Sequence, residues 1–153
     1  IDAVEHTLDF LEANERYVPK HFMLLQPTSP LILPEDIDAA FALLDGADAV
    51  VSVCQSEVVP DWLRKIDDDG HLAPYMPLQM PQHAPRQSMP KAYRLNGAIY
   101  WIKTDVLRKG RTFLPASTKP YIMPHERSLD IDDDFDLELA NFVAERRKRK
   151  SGK

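Results

Sequence analysis

The sequence predicts an α/β fold in which a parallel sheet carries a site at one edge. Two apolar runs, His21–Leu25 and the β-branched Ala49–Val53, are typical of buried strands. Residues 34–46 lie between them and repeat apolar side chains at helical spacing. A strand, a helix and a strand with short links form a βαβ unit, which implies parallel strands and a right-handed crossover. Ligands of such sheets bind beyond the carboxyl ends of the strands, and residues 26–30 follow the first strand there.

The N-terminal elements follow from local signals. Residues 1–14 indicate an amphipathic helix with Leu8 and Leu11 on its apolar face. The first strand must end before the prolines at positions 27 and 30, because proline lacks an N–H and restricts its predecessor to extended conformations. The second helix begins at Pro34 with acids in its first turn and ends at Gly46.

The second half of the chain predicts a hairpin, an excursion and a return to regular elements. Residues 62–66 pair with the segment after Gly70, because Asp-Gly is a strong turn signal. Residues 74–90 contain five prolines and no periodicity, so they predict a long irregular excursion. Regular elements are then expected as a strand over 93–102 interrupted at Gly97, a short helix over 104–109, a strand over 119–123 and a helix over 134–147, with Phe135 and Phe142 on its apolar side.

Composition limits the classes of protein to which the chain can belong. Its 153 residues suit about one domain, and a net charge of −5 argues against broad nucleic-acid binding. No apolar run approaches the ~20 residues that span a bilayer. The single cysteine excludes an internal disulfide and fits a cytoplasmic location. The chain begins inside a helical pattern without an N-cap residue, so we expect an N-terminal truncation.

Two polar clusters interrupt the apolar pattern. Arg94, Asn96 and Tyr100 surround a glycine within one strand, and such groups can grip an anionic, polyhydroxylated ligand. Asp130 and Asp132 are two residues apart, so an extended backbone would point both carboxylates in the same direction. Paired carboxylates can hold a divalent cation. A sugar acid and a metal-bound triphosphate would together need both clusters.

Each candidate also has a purely structural interpretation. Gln26 could satisfy the backbone of the turn that follows the first strand, and Arg86 and Arg94 could be solvated arginines. Tyr100 could be a core aromatic, and Cys54 is best explained as a small core residue. The residues alone leave these alternatives open.

The acidic stretch that begins at Asp130 is not an EF-hand. That calcium loop needs glycine at its sixth position and glutamate at its twelfth, where this chain has Phe135 and Asn141. Acids at the positive end of the last helix account for Asp133 and Asp134. The basic run over residues 146–150 fits the negative end of the same helix better than it fits a nucleic-acid patch.

Four motifs in order resemble the acylneuraminate cytidylyltransferases, the CMP-sialic acid synthetases. They are Leu-Leu-Gln-Pro-Thr-Ser-Pro-Leu at 24–31, Arg86-Gln87, Arg-Leu-Asn-Gly-Ala-Ile-Tyr at 94–100 and Glu-Arg-Ser-Leu-Asp-Ile-Asp at 126–132. The resemblance covers nearly the whole chain. It implies a three-layer, doubly wound, Rossmann-like nucleotidyltransferase sheet, of which residues 1–153 form a partial domain. It also implies a homodimer, with an excursion over about residues 74–115 that completes the partner's sugar site.

The resemblance also implies a role for each matching residue. The residues expected to bind the sugar are Gln26, Arg86, Arg94, Asn96, Tyr100 and Phe113. Asp130 and Asp132 are expected to hold Mg²⁺ against the nucleotide phosphates, and with Arg94 they form the expected catalytic set. Two departures concern the sugar pocket: Leu114 replaces a second aromatic residue, and Trp62 stands near the position of a family lysine.

The implied reaction is attack of a nonulosonic acid's anomeric hydroxyl on the α-phosphorus of CTP, which releases pyrophosphate. The Asn-Gly-Ala-Ile-Tyr segment is closer to neuraminate and legionaminate enzymes than to pseudaminate ones. Family members open with a strand and a loop that cradles the triphosphate, and we expect this chain to lack them. Two alternatives therefore remain: a catalytically inactive fragment that keeps the sugar-side and dimer surfaces, and a nonenzymatic module that binds acidic ligands.

Overall fold

A four-stranded mixed sheet organises the larger of two units into which the chain divides. The structure is a computed structural model that describes residues 1–78 and 85–151. One unit comprises residues 1–54 and 95–153, and the other comprises residues 55–94. The helices are α1 (Asp2–Glu15), α2 (Pro34–Ala42), α3 (Thr104–Gly110) and α4 (Asp134–Ser151). The strands are β1 (His21–Leu25), β2 (Ala49–Gln55), β3 (Arg64–Ile66), β4 (Leu72–Pro74), β5 (Tyr93–Lys103) and β6 (Thr118–Ile122).

The order of strands in the sheet is β1-β5-β2-β6. β1 runs antiparallel to β5, with Leu25 opposite Ile99, and β2 runs parallel to β6, with Ala49 opposite Thr118. The expectation of a parallel sheet was therefore wrong: β5, which lies between β1 and β2, runs antiparallel to β1, so the sheet is mixed. An apolar pattern identifies which segments are strands, but it does not identify the neighbour that each strand takes.

Most of the predicted helices and strands are confirmed to within a few residues, and so is most of the core. Leu8 of α1 is buried in one apolar cluster, and Ala40 of α2 is buried in another. The last helix differs from its prediction. Its Ala140 is buried, whereas Phe135 and Phe142 are 72% and 60% exposed. Helical periodicity locates an apolar face, but it does not show whether this part of the chain covers that face.

The smaller unit contains the predicted hairpin. β3 pairs antiparallel with β4, so that Ile66 lies opposite Leu72. Asp67 Oδ1 accepts hydrogen bonds from the backbone N–H groups of Asp69 and His71, and Gly70 adopts a positive φ of +82°. Part of the predicted excursion, residues 79–84, lies outside the described residues, and residues 86–88 form a 3₁₀ turn.

The described helices show no candidate for a membrane span. Over residues 1–78 and 85–151, none of them combines the length and the hydrophobicity needed to cross a bilayer.

Candidate functional site

Two of the predicted site residues, Gln26 and Asp130, converge on Gly97. Gly97 has a φ of +73° within β5, and a Cβ atom there would overlap Gln26 Oε1 and lie 3.3 Å from Asp130 Oδ2. Gln26 directly follows β1, whose last residue, Leu25, pairs with Ile99. Asp130 approaches from the segment before α4. The sheet therefore brings an amide, a bare backbone and a carboxylate from three separate motifs to one place.

The Asp130 carboxylate has one oxygen without a partner. Oδ1 is buried and forms no hydrogen bond. Burial, followed by the negative charge of Asp130, raises the pKa of the Tyr100 hydroxyl above its ordinary value. A buried acceptor without a donor is costly, and a cation or a ligand proton would satisfy it.

Asp132 differs from Asp130 in its surroundings. Its side chain is exposed, and its backbone N–H donates to Asp136 Oδ2 over 3.1 Å. Asp133 caps α4 by accepting the N–H of Asp136 over 2.9 Å, as its position before the helix predicts. Within the described ranges, no group of three or more histidine, cysteine or acidic side chains is arranged to hold a metal ion. The pair of Asp130 and Asp132 would therefore need further ligands, such as phosphate oxygens, to complete a magnesium site.

Asn96 lies inside the fold with its carboxamide fully engaged. The residue is 1% exposed, and its Oδ1 accepts a hydrogen bond from Ser52 Oγ over 2.6 Å. Its Nδ2 donates to Ser128 Oγ over 2.9 Å and to Met123 Sδ over 3.3 Å. These contacts join β5 to β2 and to the segment that leads to Asp130. The expected contact of Asn96 with a sugar stays a prediction, while the structure gives this residue a positioning role.

Tyr100 and Phe113 form an aromatic pair at the edge of the core. Their ring centroids are 5.9 Å apart, and both rings pack against the apolar cluster that contains Leu8 and Ile102. The structural interpretation of Tyr100 is therefore confirmed in part. Its ring packs against the core, while the charge of Asp130 contributes to the raised pKa of its hydroxyl. Leu114, which replaces the second family aromatic, is 49% exposed.

The two predicted arginines belong to the other unit. Arg86 Nη2 donates to the backbone carbonyl of Glu57 over 3.0 Å, within residues 55–94. Arg94 is an exposed residue near the beginning of β5, in the same unit. Their expected grouping around the sugar carboxylate stays a prediction.

The sequence did not reveal a buried ion pair that lies in the same unit as Gly97. Asp36 is 1% exposed, and Arg127 donates to it through Nε over 2.8 Å and Nη2 over 2.7 Å. Asp36 also accepts the Tyr121 hydroxyl over 2.8 Å and the Leu33 N–H over 3.0 Å. Burial opposes ionisation of Asp36, but the hydrogen bonds outweigh it and lower the pKa of the carboxyl below its usual value. The sequence shows Asp36 only as a first-turn acid, because its partners come from distant positions.

Comparison with known proteins gives relatives but no matching family model. The chain is 32% identical to the CMP-N,N'-diacetyllegionaminic acid synthase of Legionella pneumophila over 126 residues, which are 80% of this chain. It is 34% identical to the N-acylneuraminate cytidylyltransferase of Escherichia coli over 131 residues, which are 84% of this chain. A Streptococcus agalactiae N-acylneuraminate cytidylyltransferase is 31% identical over 131 residues. Over about four-fifths of its own length the chain is homologous to the acylneuraminate cytidylyltransferases.

The similarity covers only part of the length of these relatives. The matches cover 53% of the Legionella relative and 30% of the Escherichia coli relative, so the chain spans about half and about a third of these proteins. The names of the relatives also differ in the sugar, which is legionaminic acid in one and an N-acylneuraminate in the others. The predicted resemblance to acylneuraminate cytidylyltransferases is confirmed at the level of the family.

Proposed function

We propose that this chain is part of an enzyme that transfers CMP from CTP to a nonulosonic acid and releases pyrophosphate. N-acetylneuraminate and a legionaminate-like sugar are the two acceptors that we favour, in keeping with the names of the relatives. The observation that carries the proposal is the convergence of Gln26 and Asp130 on Gly97 at the carboxyl end of β1. This is the edge where α/β sheets bind ligands.

The sugar side of the site is assigned to the residues that the family resemblance implies, beginning with Gln26. The Gln26 amide can donate to one hydroxyl and accept from another, which suits a polyhydroxylated ligand. Arg86 and Arg94 are proposed to bind the sugar carboxylate, because a guanidinium fork matches a carboxylate with two parallel hydrogen bonds. Tyr100 and Phe113 would supply an apolar wall for the acyl substituents.

The metal side of the site is assigned to Asp130 and Asp132. The buried, unpartnered Asp130 Oδ1 fits a hard cation, and the exposed Asp132 leaves room for the nucleotide that would share it. When bound, Mg²⁺ would neutralise charge on the phosphates of CTP. The task of these two side chains would be to orient the α-phosphorus toward the sugar hydroxyl, since catalysis of this transfer is mainly positioning and charge neutralisation.

The wider architecture proposed for the enzyme follows the family. We expect a three-layer, doubly wound sheet, and a homodimer in which residues of the 74–115 excursion complete the partner's sugar site. A cytoplasmic location agrees with Cys54, which is a free and buried thiol.

A second candidate is sugar binding without transfer by this chain alone. It is favoured by the length of the match, which is about half of the Legionella relative. Under this alternative, the chain binds N-acetylneuraminate through Gln26 and releases no pyrophosphate from CTP.

One experiment tests both candidates. The chain is assayed for pyrophosphate release with CTP and N-acetylneuraminate, alone and fused to the part of the Legionella relative that lies outside the match. We expect no release from the chain alone and Mg²⁺-dependent release from the fusion protein. Asp130→Ala and Asp132→Ala should each abolish that release, whereas Asp134→Ala, which changes a neighbouring exposed acid, should not. Full turnover after both Asp130 and Asp132 become alanine would refute the metal assignment.

A further inference from the structure

We propose that the Asp36–Arg127 ion pair positions the Asp130 carboxylate at Gly97. The inference rests on the proposed function in one respect: the proposed function assigns Asp130 as a metal ligand. Neither Asp36 nor Arg127 is among the residues assigned to the sugar or to the nucleotide. They would act through the segment 125–131, which carries Asp130 and ends close to α4.

Three hydrogen-bonded contacts among the described residues connect segment 125–131 to the rest of its unit. The Arg127 side chain binds Asp36 through two parallel hydrogen bonds. Ser128 is completely buried and accepts a hydrogen bond from the Asn96 amide over 2.9 Å. The Ile131 N–H donates to the Thr28 carbonyl over 2.9 Å. Asp130 lies between Ser128 and Ile131, so the hydrogen bonds of these two residues limit where its carboxylate can lie.

Of these three contacts, only the one between Arg127 and Asp36 is ionic and bidentate. Two parallel hydrogen bonds fix the orientation of both planar groups, whereas an ammonium group would fix only a distance. Asp36 is itself held in place, because the Leu33 N–H and the Tyr121 hydroxyl fill its remaining acceptor positions. Helix α2 and strand β6 therefore form the frame against which the segment is set.

The Asp130 carboxylate has little room to move. A Cβ atom added at Gly97 would be 3.3 Å from Asp130 Oδ2 and would overlap Gln26 Oε1. Both side chains therefore approach the same side of Gly97. A small displacement of the segment would move the carboxylate toward Gln26 or away from Gly97. Errors of about 1 Å in such groups are enough to reduce catalysis severely. The ion pair is thus placed to set a geometry as well as to stabilise the fold.

The test measures the location of Asp130 in the 153-residue chain by NMR spectroscopy. The reporters are the Gly97 α-proton resonances and the Ile131 amide resonance, because both lie next to the carboxylate or its segment. Asp130→Asn gives the reference shifts for loss of the charge at this place. The variants are Arg127→Lys, which keeps the charge and removes the fork, and Asp36→Asn, which keeps the volume. Arg108→Lys is the matched control, since Arg108 pairs with Asp9 and Glu12 away from this segment.

We expect Arg127→Lys and Asp36→Asn to move the Gly97 resonances toward those of Asp130→Asn, and to shift the Ile131 amide. Arg108→Lys should lower stability without moving either reporter. If both variants lower the melting temperature but leave the two reporters at their wild-type shifts, the pair only stabilises the fold and the inference is wrong. Should Asp36→Asn fail to fold, Arg127→Lys decides alone.

A second measurement separates this inference from the proposed function. In the fusion protein, Arg127→Lys should raise the Mg²⁺ concentration that gives half-maximal activity several-fold and leave the KM for the sugar unchanged. If the reporters move in the 153-residue chain but the fusion protein never releases pyrophosphate, the result would support the positioning role and count against the cytidylyl transfer. Unmoved reporters with an unchanged Mg²⁺ requirement would overturn the positioning role alone.

Discussion

Asp36 and Asp130 are two carboxylates of the same unit with opposite surroundings. Asp36 is buried among four hydrogen-bond donors, which come from Arg127, Tyr121 and Leu33. Asp130 has one buried oxygen that meets no donor at all. A carboxylate whose lone pairs are all engaged contributes to the fold, whereas one that is left unpaired costs stability and is available to a ligand. The contrast separates a carboxylate that stabilises the fold from the one that we propose as a metal ligand.

The largest effect is expected from removing the satisfied carboxylate. Asp36→Ala would leave the Arg127 guanidinium without its partner, and breaking a buried ion pair in this way typically costs about 3–5 kcal/mol. Because the Arg127 side chain is 22% exposed, we expect the lower end of that range. Denaturant unfolding of the chain measures the change. A loss of less than about 1 kcal/mol would place Asp36 among ordinary surface acids.

The Asp36 carboxylate should make the free energy of unfolding depend on pH. The pKa of Asp36 is lowered in the folded state, so its contribution is complete above the pKa of the unfolded chain, which is about 4. The contribution is lost as the pH falls through the lower, folded pKa. The difference in unfolding free energy between wild type and Asp36→Asn should therefore be constant from about pH 7 to 5 and shrink below about 4. A difference that grows toward low pH would contradict the assignment.

Glycine substitutions test how tightly the site is packed. Gly97→Ala should cost about 2–3 kcal/mol, because its positive φ strains an alanine and the new Cβ meets Gln26 Oε1. Gly70→Ala is the matched control, since it has a similar φ and no atom within 4 Å of the added Cβ. It should cost only about 1 kcal/mol. Equal losses in thermal or denaturant unfolding would mean that Gln26 does not crowd Gly97.

The smallest effect is expected from the unpaired carboxylate. Asp130→Asn removes a charge whose buried oxygen has no donor, so the unfolding free energy should change by less than about 1 kcal/mol or increase. Denaturant unfolding of this variant and of Asp36→Ala, under the same conditions, compares the two carboxylates directly. A loss at Asp130 as large as the loss at Asp36 would remove the distinction between them.

The sequence predicts the local elements around the two carboxylates but not the order of the strands. The strand that ends at Leu25, the helix that begins at Pro34 and the hairpin turn at Gly70 follow from local chemistry, and all three are confirmed. Ordered motifs also identified Gln26, Gly97 and Asp130, which the sheet then brings together. The place of β5 between β1 and β2 could not be predicted, because strand neighbours depend on contacts between segments far apart in the chain.

Pairing between distant side chains was equally hidden from the sequence. The sequence did not reveal that Ser52 and Ser128 hydrogen-bond the Asn96 amide, whose contact with a sugar stays a prediction. Asp36 and Arg127 are 91 residues apart, and no local pattern links them. Residue type and spacing show which groups can bind a ligand, but only the fold shows which of them the protein has already engaged.

The most direct test of the account is whether a divalent cation binds at Asp130. Mn²⁺ is added with pyrophosphate to the 153-residue chain, and paramagnetic broadening of the backbone amides is followed by NMR spectroscopy. We predict selective broadening of the Gly97 and Ile131 amides, with loss of that broadening in Asp130→Asn but not in Asp134→Asn. Broadening that persists unchanged in Asp130→Asn, or that is absent from both amides in the wild type, would contradict the assignment of Asp130 as a metal ligand.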